Sequence, residues 1–385
     1  MKKRVLIISS SYLPGFRSGG PQRSVENIVD VFGDKSDIYI LTKDHDMDSD
    51  IHYEGVANNK WLKVGKAHVM YVTDNEFDWS ILKKAYFSFD TIFAGGLFDV
   101  GCRNLLLIHR LYHKAGKKVY IAPMGVFSSG AYNNKSHMKK AIFISMYKAI
   151  GAFKDVTWSL STKGELKEAE NVLGYKLKPV DYIIAEDFPQ KVDFEFYRKK
   201  ARNYIKAEKR LRLVFISRIP PQKNLNYALQ ILSKEYDGEI VYDVYGTIED
   251  KTYWQECSRT IAKLPGNVKA RYCGELKPDE VVETFSDYDA FLFPTKGENF
   301  GHVIYESLAA GCIPIISDQT PWKSNEKKSF YVIPLKDKEA YIHMVQDLLN
   351  ISQGRIREKK LHCIDYAEES YKRIVEHSGY TRVFE

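Results

Sequence analysis

AFLFPTKGENFGHVIYESLAAGCIPIISDQTPW, residues Ala290–Trp322, changes periodicity twice within one short stretch. Ala290-Phe291-Leu292-Phe293 is an apolar run of buried-strand length, and Pro294 ends it. Thr295 to Asn299 are polar and include Gly297, which predicts a turn. His302 to Ala310 then read as a helix with Val303, Leu308 and Ala309 as apolar positions and Gly311 as its stop. Ile313-Pro314-Ile315-Ile316 is a second strand-like run. The unit is strand, loop, helix, strand, and such units bind ligands at the carboxyl ends of their strands, beside the helix start.

Two carboxylates bracket that helix start, Glu298 in the loop and Glu306 eight positions on. A carboxylate offers two acceptor oxygens and can take both hydroxyls of a vicinal diol, as in a sugar or a ribose. Between them the backbone N–H groups of Phe300, Gly301 and His302, next to Asn299, lie where a helix N-terminus favours an anion such as a diphosphate. Spacing alone also fits two solvated helix-end glutamates. The longer pattern is more specific. E-N-F-G, four residues, E, then S-L-A-A-G-C-I-P-I-I-S-D resembles the glutamate-pair motif of retaining GT-B glycosyltransferases of family 4, the glycosyl transferases group 1. The resemblance implies that Glu298 contacts a donor sugar and that Glu306 holds the ribose hydroxyls. It also makes Asn299, Phe300, Gly301 and His302 donor-binding positions.

Upstream, Leu211 to Ile216 is a strand, and Ser217-Arg218-Ile219-Pro220-Pro221-Gln222-Lys223-Asn224 follows it. Arg218 and Lys223 fall on the two cations of the family's G-R-(4)-K pattern. Arg forks onto phosphate oxygens and Lys adds a mobile point charge, so both can stabilise a departing diphosphate. Gly246 and Cys273 end two further strands, Ile240 to Tyr245 and Val268 to Tyr272. In the family, backbone at these positions meets the base. Cys273 has no accompanying activating His and is not read as a nucleophile.

The first half alternates strands and helices in the same way. Strands are expected at Arg4 to Ser9, Asp37 to Thr42, Tyr71-Val72, Thr91 to Ala94, Lys118 to Ala122, Thr157 to Leu160 and Tyr182 to Ala185, with a helix from Val100 to Ala115. This predicts a doubly wound parallel sheet. The loop SSYLPGFRSGG, ending in Gly19 and Gly20, precedes a helix that begins at Pro21. It fits a plain turn or a close backbone approach to a ligand, and the resemblance tips the reading towards ligand for Gly19 and Gly20. The segment APMGVFSSGA, Ala122 to Ala131, resembles a P-(H/R)-G-M-L element of the family's lipopolysaccharide and capsule enzymes. Met124 stands where many members carry His or Arg, so no role passes to it, while the backbone of Gly125 remains a sugar contact. Ser161 or Thr162 is expected to cap the following helix.

The fold expected is therefore α/β: GT-B, two Rossmann-like domains with parallel sheets facing a central cleft. The first covers 1–195, with a C-terminal helix, 365–385, packing back on it. The second covers 196–364 and takes the nucleotide-sugar. Glu186 to Tyr197 reads as the linker, and helices are expected at Tyr341 to Asn350 and Tyr366 to His377.

Composition narrows the class. The chain has 385 residues, 44% of them hydrophobic and 28% charged, as in a soluble globular protein with room for two cores. No apolar run approaches the length of a membrane span. Five cysteines without C-x-x-C argue against a disulfide framework or a zinc site, and the simple location is cytoplasmic; no metal ligands are expected, since Arg, Lys and helix N–H groups serve the diphosphate and no D-x-D accompanies them, and no cofactor is expected. The net charge of +7 suits an anionic substrate or membrane surface. No nucleic-acid-binding signature is visible. Lys135 to Lys154, KSHMKKAIFISMYKAIGAFK, carries Met138, Ile142, Met146, Ala149, Ile150 and Phe153 at helical spacing, with Ile144 and Tyr147 among the lysines opposite. It reads either as a core helix or as a helix resting on the inner face of the cytoplasmic membrane.

The resemblance implies transfer of a sugar from a nucleotide diphosphate-sugar, with a UDP-sugar expected, to a lipid-linked saccharide acceptor. It implies retention of configuration and no need for a divalent ion. A sugar-nucleotide epimerase or hydrolase, and a non-catalytic sugar-nucleotide-binding protein, are the competing classes.

Overall fold

The computed structural model describes every residue except 1, 48, 114–115, 129–131, 133–136 and 326–328. The chain divides into two units, Met1–Phe188 with Ile374–Glu385, and Pro189–Arg373. The break falls a little before the expected linker midpoint, and the return to the first unit begins later than residue 365.

In the first unit eight strands form one sheet: β1 Arg4–Ile8, β2 Asp37–Lys43, β3 Trp61–Val64, β4 Ala67–Val72, β5 Thr91–Gly95, β6 Lys118–Ala122, β7 Thr157–Leu160 and β8 Tyr182–Ile184, in the order β3-β4-β2-β1-β5-β6-β7-β8. All neighbours are parallel except β3, which pairs antiparallel with β4 at the edge. Inner strands such as Val5-Leu6-Ile7-Ile8 are buried throughout, as strands covered on both faces must be. β3 is half exposed and short, which is why its sequence gives no strand signal. The sheet grows to one edge from β1 through β2, β4 and β3 and to the other from β5, so the loops after β1 and β5 line the unit's switch point. The C-terminal piece packs on this unit: Phe384 stacks on Phe32 at 5.2 Å, and Tyr380 lies 5.4 Å from Phe188.

In the second unit six strands, β9 Arg210–Ile216, β10 Glu239–Tyr245, β11 Val268–Tyr272, β12 Ala290–Phe293, β13 Ile313–Ser317 and β14 Tyr331–Ile333, lie in the order β11-β10-β9-β12-β13-β14, all parallel. Renumbered from β9, this is 3-2-1-4-5-6, the dinucleotide-binding order, with its switch point between β9 and β12.

Several boundaries differ from expectation. Phe194–Asn203 is a helix capped by Asp193, so the end of the expected linker is structured. A helix of 24 residues, Gln353–Glu376, replaces the shorter one expected from Tyr366. Its first half carries Arg355, Arg357, Glu358, Lys359 and Lys360, which masks the apolar periodicity. The helix expected from Val100 runs to Tyr112, and Lys114 and Ala115 lie outside the described residues.

The helix of the Lys135 to Lys154 segment is His137–Ala149, and Lys135 itself lies outside the described residues. Its faces are the reverse of those read from spacing. Ile144 is buried, and Phe143 and Tyr147 pack on the core beside Phe98 and Phe153. Lys148 donates to the carbonyl of Leu173, and Lys140 lies over Phe98. Met138, Ile142, Met146 and Ile150 face solvent, with exposures of 74%, 53%, 60% and 49%. Phe153, placed on that stripe by spacing, is past the helix end and buried.

One backbone contact fixes the second sheet's upper edge. Gly246 follows β10 with φ 138°, and a Cβ on it would lie 1.8 Å from the Ser217 carbonyl oxygen after β9. Gly246→Ala must therefore part the two loops. We expect a loss of roughly 2–3 kcal/mol, from backbone strain plus the clash, measured by denaturant unfolding. Unchanged stability would show that the loops separate freely.

Candidate functional site

The switch point of the second sheet gathers the residues singled out by sequence. After β9 the chain makes a short 3-10 turn, Pro221–Lys223, and Asn224 takes a left-handed conformation before the helix Leu225–Ile231. Asn224 donates to the Pro294 carbonyl at 2.8 Å, and Lys296 N–H donates to the Gln222 carbonyl at 2.9 Å, so the loops after β9 and β12 are laced together. Lys223 Nζ thereby meets Glu298 Oε1 at 2.6 Å, and Thr295 Oγ1 donates to the same oxygen at 3.3 Å. Both side chains of the pair are largely buried, 15% and 9% exposed. Lys223 also lies 5.7 Å from the centre of the Phe293 ring. Arg218 points to another carboxylate, Glu249, at 2.5 Å, in the loop after β10. Glu249 has no sequence signal, because it pairs across 31 positions.

Beyond Glu298 the chain enters the helix His302–Ala309 through Gly301, which is left-handed at φ 79°. Ile304 N–H donates to the Gly301 carbonyl at 2.8 Å, so the helix's bonding starts here. Trp322 Nε1 donates to the Phe300 carbonyl at 2.5 Å, and the rings of Phe300 and Trp322 lie 5.3 Å apart. His302 packs 4.8 Å from Phe300, and Asn299 joins Glu298 to this block. Glu306 is on the helix and 6% exposed.

Gly246 and Cys273 are neighbours on the same edge. Gly246 N–H donates to the Gly274 carbonyl at 2.8 Å, and Cys273 N–H to the Val244 carbonyl at 2.8 Å. Burial, helped by Asp243, raises the Cys273 thiol above its ordinary range, which removes nucleophilic character. Asp243 itself is buried, and burial would raise it. Bonds from Arg271 at 2.6 Å and from Tyr288 at 2.7 Å outweigh that and hold it below the usual carboxylate range. It is a structural anchor for β10.

In the first unit, Gly19 is the N-cap of the helix Gly20–Phe32, with φ 66°. The loop before it is held from outside. Asp46 accepts from the N–H groups of Phe16 at 2.8 Å and Arg17 at 3.2 Å, and Tyr71 OH donates to the Leu13 carbonyl at 2.5 Å. Gly125, φ 78°, follows Met124, which is itself left-handed at φ 55°. Gly125 N–H donates to Glu165 Oε1 at 2.7 Å, while Oε2 accepts from Ser161 N–H at 2.7 Å and its hydroxyl at 2.8 Å. Thr162, as expected, caps the helix by accepting from Glu165 N–H. Ser129, Gly130 and Ala131 of this segment lie outside the described residues. Sequence reasoning passed over Asp46 and Glu165, since a lone carboxylate facing backbone leaves no spacing pattern.

Two Rossmann-like parallel sheets of this order define the GT-B class. The chain aligns with the structure of Anabaena Alr3699/HepE in complex with UDP and glucose at a TM-score of 0.67, with 10% identity over 97% of this chain and 97% of that one. With WaaG, described as a glycosyltransferase involved in lipopolysaccharide biosynthesis, the TM-score is 0.66, with 14% identity over 98% and 99%. At these identities the likeness carries the fold. Residues 196–370 match the family described as glycosyl transferases group 1. The sulfoquinovosyl transferase SQD2 of Arabidopsis thaliana is 24% identical over 136 residues, spanning 33% of this chain and 24% of that relative.

Glu165 supplies a direct check on the first unit. It is 2% exposed and takes three donors. Glu165→Ala leaves the N–H groups of Gly125 and Ser161 without their acceptor, which should cost about 3 kcal/mol in urea unfolding. A loss under about 1 kcal/mol would show that the carboxylate is not holding the Gly125 turn.

Proposed function

We propose that the chain is a retaining glycosyltransferase that moves a sugar from a UDP-sugar to a lipid-linked saccharide of a surface polysaccharide. The observation that carries this reading is the convergence of Lys223 and Glu298, from two different loops, at the switch point of a dinucleotide-type sheet. Glu298 meets the donor sugar, Glu306 the ribose hydroxyls, and Arg218, Lys223 and the helix start at Gly301 the diphosphate. Asn299, Phe300 and His302 frame that start, and Gly246 and Cys273 border the base. Gly19, Gly20 and Gly125 belong to the acceptor side. The bound UDP and glucose named for the HepE structure support the donor assignment, and the polysaccharide assignment is supported by the WaaG description.

Retention follows from a front-face course in this reading. As the glycosidic bond to the diphosphate breaks, negative charge grows on the leaving oxygen, and the two cations stabilise it there. The diphosphate takes the proton of the attacking hydroxyl on the same face. Two cations and helix N–H groups supply the charge that Mg²⁺ supplies elsewhere, so no divalent ion is needed at the diphosphate.

The test is incubation with a panel of nucleotide sugars, with and without lipid-linked acceptor, reading the product anomer by NMR and repeating with chelator during the assay. Transfer with retention supports the proposal. Rearrangement or hydrolysis without acceptor would establish an epimerase or hydrolase, and binding without turnover a non-catalytic protein. In calorimetric titration, Glu306→Ala and Lys223→Ala should each weaken UDP binding by roughly 1–3 kcal/mol. Glu298→Ala should spare UDP binding and reduce transfer, and unchanged transfer would remove Glu298 from the sugar contact.

The acceptor's lipid gives the exposed stripe Met138, Ile142, Met146 and Ile150 a role, with the exposed Lys139 beside it. In our reading this face rests on the anionic inner surface of the cytoplasmic membrane, the apolar side chains entering the interface and lysine meeting headgroups. No helix among the described residues is long and apolar enough to cross a membrane. Sedimentation with anionic-lipid vesicles should recover the native chain and lose Ile142→Glu/Met146→Glu. Equal recovery of both would place the contact elsewhere.

A further inference from the structure

Past the end of β2 the chain reads Asp44-His45-Asp46 and folds back on itself, so that His45 and His52 form an isolated antiparallel bridge. Directly opposed residues of such a bridge send their side chains to the same side. The two imidazoles converge, centroids 6.2 Å apart, on the carboxylate of Asp44, which is only 1% exposed. His45 Nδ1 is 3.1 Å from Asp44 Oδ1, and His52 Nδ1 is 2.8 Å from Asp44 Oδ2. The three ligand atoms lie within 4.8 Å of one another. Ligands about 2.0–2.1 Å from a tetrahedral zinc stand about 3.3 Å apart, which is the scale of this triangle.

The second ring nitrogen of His45 makes the case for a cation. Its Nε2 faces a different carboxylate, Asp74 Oδ2, at 3.4 Å, and Asp74 is fixed in turn by Lys43 at 2.6 Å. A neutral imidazole has one N–H and one lone pair. A neutral His45 would set a lone pair of one nitrogen against a carboxylate, whereas an imidazolium would donate to both. Donation from Nε2 to Asp74 is the second-shell arrangement of metal-binding histidines. With the proton on Nε2, the Nδ1 lone pair faces Asp44, and a cation bound there would be shared by both. Asn58 Nδ2 donates to Asp44 Oδ2 at 2.6 Å and orients the carboxylate in the same sense.

We propose that Asp44, His45 and His52 bind one zinc-class divalent ion. Two imidazole nitrogens and one carboxylate oxygen suit zinc among common ions, and the side chain of His52 is 64% exposed, which leaves the remaining position to solvent. The ion clasps the segment whose Asp46 holds the N–H groups of Phe16 and Arg17, and so stiffens the glycine-bearing loop of the first unit. This site is separate from the diphosphate site and does not depend on the proposed transfer.

The test is titration of zinc chloride into the metal-stripped full-length protein, followed by calorimetry and by the visible spectrum of a cobalt-loaded sample. One ion per chain should bind with a micromolar or tighter Kd and give tetrahedral cobalt bands. His45→Ala and His52→Ala should each weaken binding at least tenfold, while His343→Ala, at an exposed histidine of the second unit, leaves it unchanged. Zinc should raise the melting temperature of the native chain and not of His52→Ala. Because His52 is exposed, the metal-free melting temperature of that variant should match the native value, which separates lost ligation from misfolding. Equal zinc affinity in native and His52→Ala protein, or no binding at 100-fold excess of metal, would overturn the proposal.

Discussion

β9 and β12 are hydrogen-bonded neighbours although two strands and their helices intervene in sequence. Parallel neighbours need crossover connections, and a sheet that grows first one way from β9 and then the other must leave a gap between the two sets of crossovers. The loops after β9 and β12 meet at that point and bond to each other. Asn224 to Pro294 and Lys296 to Gln222 are those bonds. Lys223 and Glu298 meet because of this lacing. Gly246, pressed on Ser217, keeps the third loop close enough for Glu249 to reach Arg218.

This arrangement explains what could be read in advance. Strands β9, β10, β12 and β13 of the second unit were legible because most of their residues are buried and apolar. Glu298, Glu306, Arg218 and Lys223 were legible only as parts of a long spaced pattern, and the pairing of Lys223 with Glu298 needed the sheet order. Half-exposed or very short elements, β3 and β14, left no such run. The long helix Gln353–Glu376 was foreshortened for the opposite reason: its first half is rich in charge, yet Ile356 and Lys360 in it are buried.

Side-chain direction was harder to read than element type. The His137–Ala149 helix has apolar residues on two faces, and spacing alone does not tell which one meets the sheet. The aromatic pair Phe143 and Tyr147, centroids 4.0 Å apart, beside the buried Ile144, supplies the larger packing surface and wins the core. Contacts from a carboxylate to backbone were not legible at all. Asp46 and Glu165 act across 30 and 40 positions on N–H groups that every residue but proline possesses. The Asp44, His45 and His52 cluster was hidden similarly, since its ligands follow no known zinc spacing and are assembled by a turn.

The two cations of the proposed donor site are already paired before any donor arrives, and that shapes what binding can gain. Each of the two cations already has a carboxylate, Glu298 for Lys223 and Glu249 for Arg218. A diphosphate that takes both cations must release both carboxylates, so the net gain is a difference between ion pairs rather than the worth of new ones. The two exchanges are unequal. Glu249 is more exposed and passes to water at little cost. Glu298 is nearly buried, and an anion left there without Lys223 is expensive. In the proposed function the donor sugar removes that expense, because its hydroxyls donate to Glu298 as Lys223 turns to the phosphate. In that reading sugar and diphosphate bind as one ligand: the diphosphate frees the carboxylate that the sugar needs, and the sugar satisfies the carboxylate that the diphosphate displaces.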